Sequence, residues 1–316
     1  MRRAWYEKRP DARRRLGRPV ISIGNLVVGG SGKTPLVATV VRMLCDRGER
    51  PSVLSRGYGR RHPVDGVLVV SDGRQVLASV ERSGDEPQML ARTLPGVPVL
   101  VSPDRYLAGQ LAERQFGCTV HVLDDGFQHV QLARDLDLLL VSRADLDEHV
   151  LPAGRLREPL SAARAADALI VTGTDEDAAS VAGTIGHHTV FRAVASHGAV
   201  RPLDASRPLA AGRRVVAVAA IARPQRFFDA LRAAGFDVTR ELVFRDHHWF
   251  TQRDLASIEG AATDTKADLI VTTDKDAVRL ETVRGAWAVL PIEVLIQPAA
   301  RFSDWLVDRL RAARAA

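Results

Sequence analysis

The sequence predicts an α/β protein: a parallel sheet with helices on both faces, followed by a smaller C-terminal α/β unit. Three observations carry this. Short β-branched runs alternate with helical periodicities through the first 200 residues. The strand runs are near-continuously apolar, as strands buried on both faces are. After a polar stretch at Ala195–Arg213, which holds Pro202 and Pro208, the same alternation resumes. The expected organisation is a basic arm over 1–18, a first domain over 19–200 and a second over 201–316.

In the first domain the expected strands are Val20–Ile23, Ser52–Leu54, Val67–Ser71, Val97–Val101, Thr119–Leu123, Leu136–Val141 and Ala168–Thr172. Helical spacing marks Pro35–Arg47, Glu86–Thr93, Arg105–Phe116 and Leu160–Ala166. In the second domain, strands are expected at Val215–Ala220, Val238–Val243, Leu269–Thr272 and Trp287–Leu290. Helices are expected at Pro224–Ala234, Thr251–Ala262 and Phe302–Ala313.

The first strand runs into a glycine-rich turn and an apolar helix: PVISIGNLVVGGSGKTPLVATVV, Pro19–Val41. This is the layout of a phosphate-binding loop, and it makes the fold phosphate-loop NTPase-like. Backbone N–H groups of Val27, Val28, Gly29, Gly30, Ser31, Gly32, Lys33 and Thr34 would cradle phosphate oxygens. Lys33 would reach the β- and γ-phosphates, and the Thr34 hydroxyl would sit on Mg²⁺. The usual pattern begins with glycine, and Val27 stands in its place.

The other motifs fall at the ends of expected strands, where ligands bind in open α/β sheets. VHVLDDGFQH ends a strand in Asp124-Asp125, with Gln128 and His129 one turn further on. Adjacent carboxylates there suit a hard cation. Ser83-Gly84-Asp85-Glu86-Pro87 opens a helix, and helix capping alone would explain it. FRDHHWF, Phe244–Phe250, follows a strand. Asp246 beside a histidine suits proton handling, and the alternation of side chains gives His247 and His248 different roles. TTDKDAVR, Thr272–Arg279, is similar to a guanine-reading motif but lacks its Asn. Lys275 there fits either an ion network or a site. Arginines in Ser55–Arg61, Ser102–Arg105 and LPAGRLREP, Leu151–Pro159, suit a phosphorylated substrate.

The chain has 316 residues, 46% of them hydrophobic and 26% charged, with a formal net charge of +6. This is ordinary for a globular protein. There is no apolar run of about 18 residues that would span a membrane. Cys45 and Cys118 are isolated and read as buried thiols in a reducing compartment. Arg2, Arg3, Lys8, Arg9, Arg13, Arg14, Arg15 and Arg18 make the arm basic, and Trp5 and Tyr6 favour an interface.

Taken in order, ISIGNLVVGGSGKTP, LSRGYGR, GDEP, SPDR, LDDGFQH, LPAGRLREPL, FRDHHWF and TTDKDAVRL resemble the tetraacyldisaccharide 4'-kinases of Gram-negative bacteria. The resemblance spans roughly residues 18–310. It implies an ATP- and Mg²⁺-dependent phosphotransferase with an alcohol group as acceptor. Its substrate would be the 4'-hydroxyl of the acylated glucosamine disaccharide 1-phosphate precursor of lipid A, and its product lipid IVA. It implies that Asp85 is the catalytic carboxylate, working with His247, and that Thr34, Asp124, Asp125 and Gln128 serve the metal. The expected partners are the membrane-borne disaccharide and an anionic membrane surface met by the arm, with no nucleic acid. The expected location is cytoplasmic, peripheral on the inner membrane. The competing expectation is another phosphate-loop enzyme, such as a small-metabolite kinase or a GTPase-like chaperone, which would not need FRDHH or the arm. Two features depart from the family pattern. The arm stands where members often carry a longer apolar helix, and Arg155 stands where an apolar residue or proline is expected.

Overall fold

The computed structural model describes residues 2–30, 32–204, 212–280, 283 and 286–315. The chain forms two compact units, Met1–Ala195 with Val294–Ala316, and Ser196–Glu293.

The strands, in chain order, are β1 (Val20–Asn25), β2 (Pro51–Ser55), β3 (Leu68–Asp72), β4 (Pro98–Val101), β5 (Val120–Asp124), β6 (Leu136–Ser142), β7 (Ala168–Thr172), β8 (Val190–His197), β9 (Arg201–Pro202), β10 (Arg214–Ala219), β11 (Asp237–Val243), β12 (Leu269–Thr273), β13 (Trp287–Leu290) and β14 (Ile292–Gln297). Among the described residues the first unit carries a nine-stranded sheet, ordered β14-β8-β7-β6-β1-β5-β2-β4-β3. From β4 across to β8 the neighbours pair parallel. The edge strand β3 pairs antiparallel to β4, a departure from the all-parallel expectation.

Every residue of β1, β2, β4 and β5 is buried, which is why these strands read as unbroken apolar runs. One face of the sheet packs against Leu36, Val37, Val40, Val41 and Leu44 of the helix Lys33–Asp46. The other face packs against Ala108 and Ala112 of the helix Arg105–Phe116. Cys118 is buried as expected, but Cys45 is exposed, on the solvent side of the helix Lys33–Asp46. The stretch expected as a helix at Leu160–Ala166 is a 3₁₀ helix over Leu160–Ala165. The helix Asp175–Ile185 and the strands β8 and β14 were not legible in the sequence.

The expected second domain, 201–316, departs from the observed second unit at its end. The last helix, Ala299–Ala315, belongs to the first unit. Its buried stripe Phe302, Leu306 and Leu310 joins the main core, and Phe302 meets Phe191 edge-to-face at 5.0 Å. The pattern of an amphipathic helix specifies a buried face, not which sheet covers it.

Among the described residues the second unit holds a five-stranded sheet, β11-β10-β12-β13-β9. It is parallel except for β9. Phe227, Phe228 and Leu231 of the helix Pro224–Ala233 cover one face. Ile258 of the helix Gln252–Asp264 lies on the other, with Val216 and Val218.

In the first unit β1 is the pivot. The chain builds β2, β4 and β5 on one side of it, then crosses to β6 on the other. That reversal opens a crevice beyond the carboxyl ends of β1 and β5.

Candidate active site

The loop after β1 has two halves. In the first, Val28 N, expected to face phosphate, instead donates to Arg155 O at 2.9 Å, and Arg157 N donates to Leu26 O at 2.7 Å. Val27 is only 5% exposed and packs with Leu26, Phe127 and Leu156. The absent first glycine thus reflects a strand-like segment whose side chain fills core. The second half is the turn proper. Gly29 and Gly32 have φ of 101° and 88°, values at which a Cβ is strained. Thr34 is buried in the first turn of the following helix. Ser31 lies outside the described residues. The Lys33 ammonium donates to Asn25 Oδ1 at 3.0 Å and stands 3.6 Å from Asp125 Oδ1.

At the end of β5, Asp124 is buried and accepts from the Ser55 hydroxyl at 3.1 Å. Burial, then the charges of Glu86 and Asp125, push its carboxyl up to about 7, with Lys33 and Ser55 opposing. Asp125 turns the chain in a left-handed conformation, φ 54°, which Asp tolerates. This presents both its oxygens to Arg157, at 2.8 Å each. Burial pushes Asp125 up, but Arg157's hydrogen bonds and the charges of Lys33, Arg157 and Arg105 outweigh it and hold the carboxyl below its usual range. Gln128 Nε2 donates to Asn25 O at 3.1 Å.

The oxygen donors fit a hard cation. Asp124 Oδ1 and Gln128 Oε1 are buried with no hydrogen-bond partner, while Asp125 is committed to Arg157. Among the described residues no group of three or more His, Cys, Asp or Glu converges as a metal site. That is compatible with Mg²⁺, which takes one or two carboxylates together with phosphate oxygens.

Asp85 begins the helix Asp85–Thr93 and is 5% exposed. Its cap is Gly84, with φ 86°. A Cβ there would lie 2.7 Å from Tyr58 O, so the GDEP turn packs directly on the loop after β2. Arg105 is buried and faces His129 Nδ1 at 3.1 Å. Burial, with Arg56, lowers its guanidinium to about 10 against the pull of Asp125 and Asp124. His129 therefore orients Arg105. Arg155 pairs with Glu148 at 2.6 Å.

In the second unit the two histidines have separate surroundings. His248 Nε2 sits 2.9 Å from Asp254, and its ring stacks on Phe244 at 4.9 Å. The Thr251 backbone, then His248, hold Asp254 down to about 2. His247 is left-handed, φ 62°. Its Nδ1 faces Arg279 at 2.9 Å and its Nε2 faces Lys275 at 3.2 Å. Lys275 also donates to Asp246 at 2.8 Å, so TTDKDAVR and FRDHHWF form one cluster.

The family model for Tetraacyldisaccharide-1-P 4'-kinase matches residues 1–311. The chain belongs to this family. A tetraacyldisaccharide 4'-kinase of Geobacter sulfurreducens is 44% identical over 288 residues, 89% of this chain and 80% of that protein. One from Syntrophus aciditrophicus is 37% identical over 334 residues, covering 98% and 89%. The crystal structure of the "apo" form of LpxK from Aquifex aeolicus in complex with ATP aligns with a TM-score of 0.80 at 32% identity, over 98% of this chain and 94% of that one.

In this member of the tetraacyldisaccharide 4'-kinase family the N-terminal arm packs within the first unit. Arg3 pairs with Glu158 at 2.8 Å, donates to Phe127 O at 2.8 Å and lies 4.0 Å over the Phe127 ring. It thereby buttresses the Asp124–Gln128 turn. Arg14 and Arg15 pair with Asp104 and Asp135. Lys8, Arg9 and Trp5 remain exposed. Sequence reasoning overlooked Asn25, fully buried at the end of β1 and in contact with Lys33, Gln128 and Arg157. The available signal was a lone amide ending an apolar strand. Arg157 was noticed only as a member of a basic loop, and Arg279 only as the last residue of TTDKDAVR.

Proposed function

We infer that this protein transfers the γ-phosphate of ATP to the 4'-hydroxyl of tetraacyldisaccharide 1-phosphate, the precursor of lipid A. The observation that carries this is the match of the family model along 1–311, together with a phosphate loop and two carboxylates at the carboxyl ends of adjacent strands.

Phosphoryl transfer needs positioning and charge stabilisation more than covalent chemistry. The turn Gly29–Thr34 holds the triphosphate, with Lys33 on the β/γ oxygens. The open oxygens of Asp124 and Gln128, with Thr34, hold Mg²⁺, and Asp125 keeps Lys33 and Arg157 in place. When bound, the ion supplies charge neutralisation across the β- and γ-phosphates. Asp85 orients the sugar hydroxyl and accepts its proton, and His247 assists in that proton's removal. Lys8, Arg9 and Trp5 meet an anionic membrane at the cytoplasmic face of the inner membrane, where the lipid substrate resides.

The test is transfer of label from ATP to the monophosphorylated disaccharide in mixed micelles with Mg²⁺. Asp85→Asn and His247→Ala are expected to bind ATP and to lose roughly 10²–10⁴-fold in rate. Wild-type rates in both variants would remove the assigned roles.

A further inference from the structure

His247 lies in a closed circuit of hydrogen bonds. Its backbone N–H donates to Ala220 O at 3.2 Å. Ala220 N in turn donates to Asp276 Oδ2 at 2.9 Å, and that same oxygen accepts from the Thr273 hydroxyl at 2.8 Å. Asp276 is fully buried and pins the turn after β12 to the end of β10. Arg279 leaves that turn, its own N–H donating to Asp276 O at 3.0 Å. Its fork spans two neighbouring residues. Nη2 reaches His247 Nδ1 at 2.9 Å, and Nη1 reaches His248 O at 2.9 Å. The guanidinium also lies 5.3 Å over the Trp249 ring.

A guanidinium only donates. The Lys275 ammonium on the Nε2 side also only donates, so two donors compete for the one lone pair of a neutral imidazole. Arg279 is the nearer, 2.9 Å against 3.2 Å. Lys275 has Asp246 as its own acceptor, with that carboxylate 3.9 Å from Nε2. This assigns the lone pair to Nδ1 and the proton to Nε2. The backbone needs the same restraint. A histidine at φ 62° occupies a conformation that persists only when its surroundings over-determine it. Arg279 supplies both restraints through one rigid fork, which a lysine cannot reproduce.

We propose that Arg279 is a positioning residue for the kinase reaction: it fixes the tautomer and the aim of His247 by donating to Nδ1 while clamping the His248 carbonyl. This rests on the reading of His247 as part of the phosphotransfer machinery. Lys275, held by Asp246, is the cation on the Nε2 side of the ring.

The experiment is a double-mutant cycle on the full chain, with a tautomer readout. Arg279→Met is expected to lower kcat about a hundredfold, the scale of a 1 Å misplacement, with KM for ATP unchanged. Arg279→Lys is expected to recover little of it. In the His247→Ala background, Arg279→Met should cost nothing further. Long-range ¹H–¹⁵N NMR should show His247 with a bare Nδ1 and a protonated Nε2 in the wild type, and a mixture of tautomers in Arg279→Met. An equal loss from Arg279→Met with and without His247, or a wild-type tautomer in that variant, would overturn the proposal. A wild-type kcat in His247→Ala alone would instead overturn the reading of His247 on which it rests.

Discussion

Arg157 holds both carboxylate oxygens of Asp125 at 2.8 Å, across 32 positions of sequence. The same guanidinium donates to the carbonyl of Asn25 at the mouth of the phosphate loop. One side chain thus ties the end of β5, the end of β1 and the LPAGRLREP segment together. Arg157→Ala leaves Asp125, half-buried, without its strongest partner. The expected loss is about 1–3 kcal/mol of stability, with weaker ATP binding because Lys33 swings toward Asp125. Arg157→Lys should not rescue it, since an ammonium cannot make the paired contact. Thermal melts with and without ATP check both statements.

Asp124 gives a pH prediction. Its carboxyl is raised to about 7, first by burial. Between the ordinary carboxylate pKa and about 7 the folded chain keeps a proton that the unfolded chain releases. This group's contribution to stability therefore falls as pH rises across that window and is level above it. The ionised form is the one that accepts a cation, so dependence on Mg²⁺ should tighten as pH rises through about 7. In Asp124→Asn both trends should vanish, so that the difference between wild type and variant carries them. Melting curves and Mg²⁺ titrations of activity from about pH 5 to about pH 8 measure this.

Gly84→Ala tests the seat of Asp85 without touching its carboxylate. The added methyl would meet Tyr58 O at 2.7 Å, at a φ of 86°. The turn must move, and Asp85 with it. The expected outcome is a kcat lowered about a hundredfold with the Kd for ATP unchanged. Equilibrium ATP binding and steady-state kinetics on the same preparation separate the two. Gly32→Ala is the contrast. No atom lies within 4 Å of its added Cβ, and only the φ of 88° opposes it, so ATP binding itself should weaken.

The arm holds both a structural residue, Arg3, and exposed ones, Trp5 and Lys8. Arg3→Ala is expected to lower stability by about 1–3 kcal/mol, because it unseats Phe127 O and Glu158. Trp5→Ala with Lys8→Ala should leave the melting temperature unchanged and reduce sedimentation with anionic vesicles, by about 1 kcal/mol for the lysine. Vesicle binding that is insensitive to these changes and to salt would place membrane contact elsewhere.

Much of the architecture was legible because it is local. Val20–Asn25, the Gly29–Thr34 turn and the Lys33–Asp46 helix announce themselves by period and by turn chemistry. So does the strand ending in Asp124-Asp125. What was hidden is non-local. The stripe Phe302, Leu306, Leu310 reads the same whichever sheet it covers, so its place in the first unit's core was not readable. His247 and His248 are the same residue type at adjacent positions. Only the approach of Asp254 to one and Arg279 to the other separates them. Asn25 looks like any residue entering a turn until Lys33, Gln128 and Arg157 converge on it.

The reaction is phosphoryl transfer to one sugar hydroxyl. Its most direct measurement is mass spectrometry with NMR of the lipid product after incubation with ATP, Mg²⁺ and the monophosphorylated tetraacyl disaccharide, beside an acceptor lacking the 4'-hydroxyl. The expected result is one added phosphate, located at the 4'-position, absent with the deoxy acceptor and lost in Lys33→Ala. Hydrolysis of ATP with no phosphate on the sugar, or equal transfer to the deoxy acceptor, would contradict it.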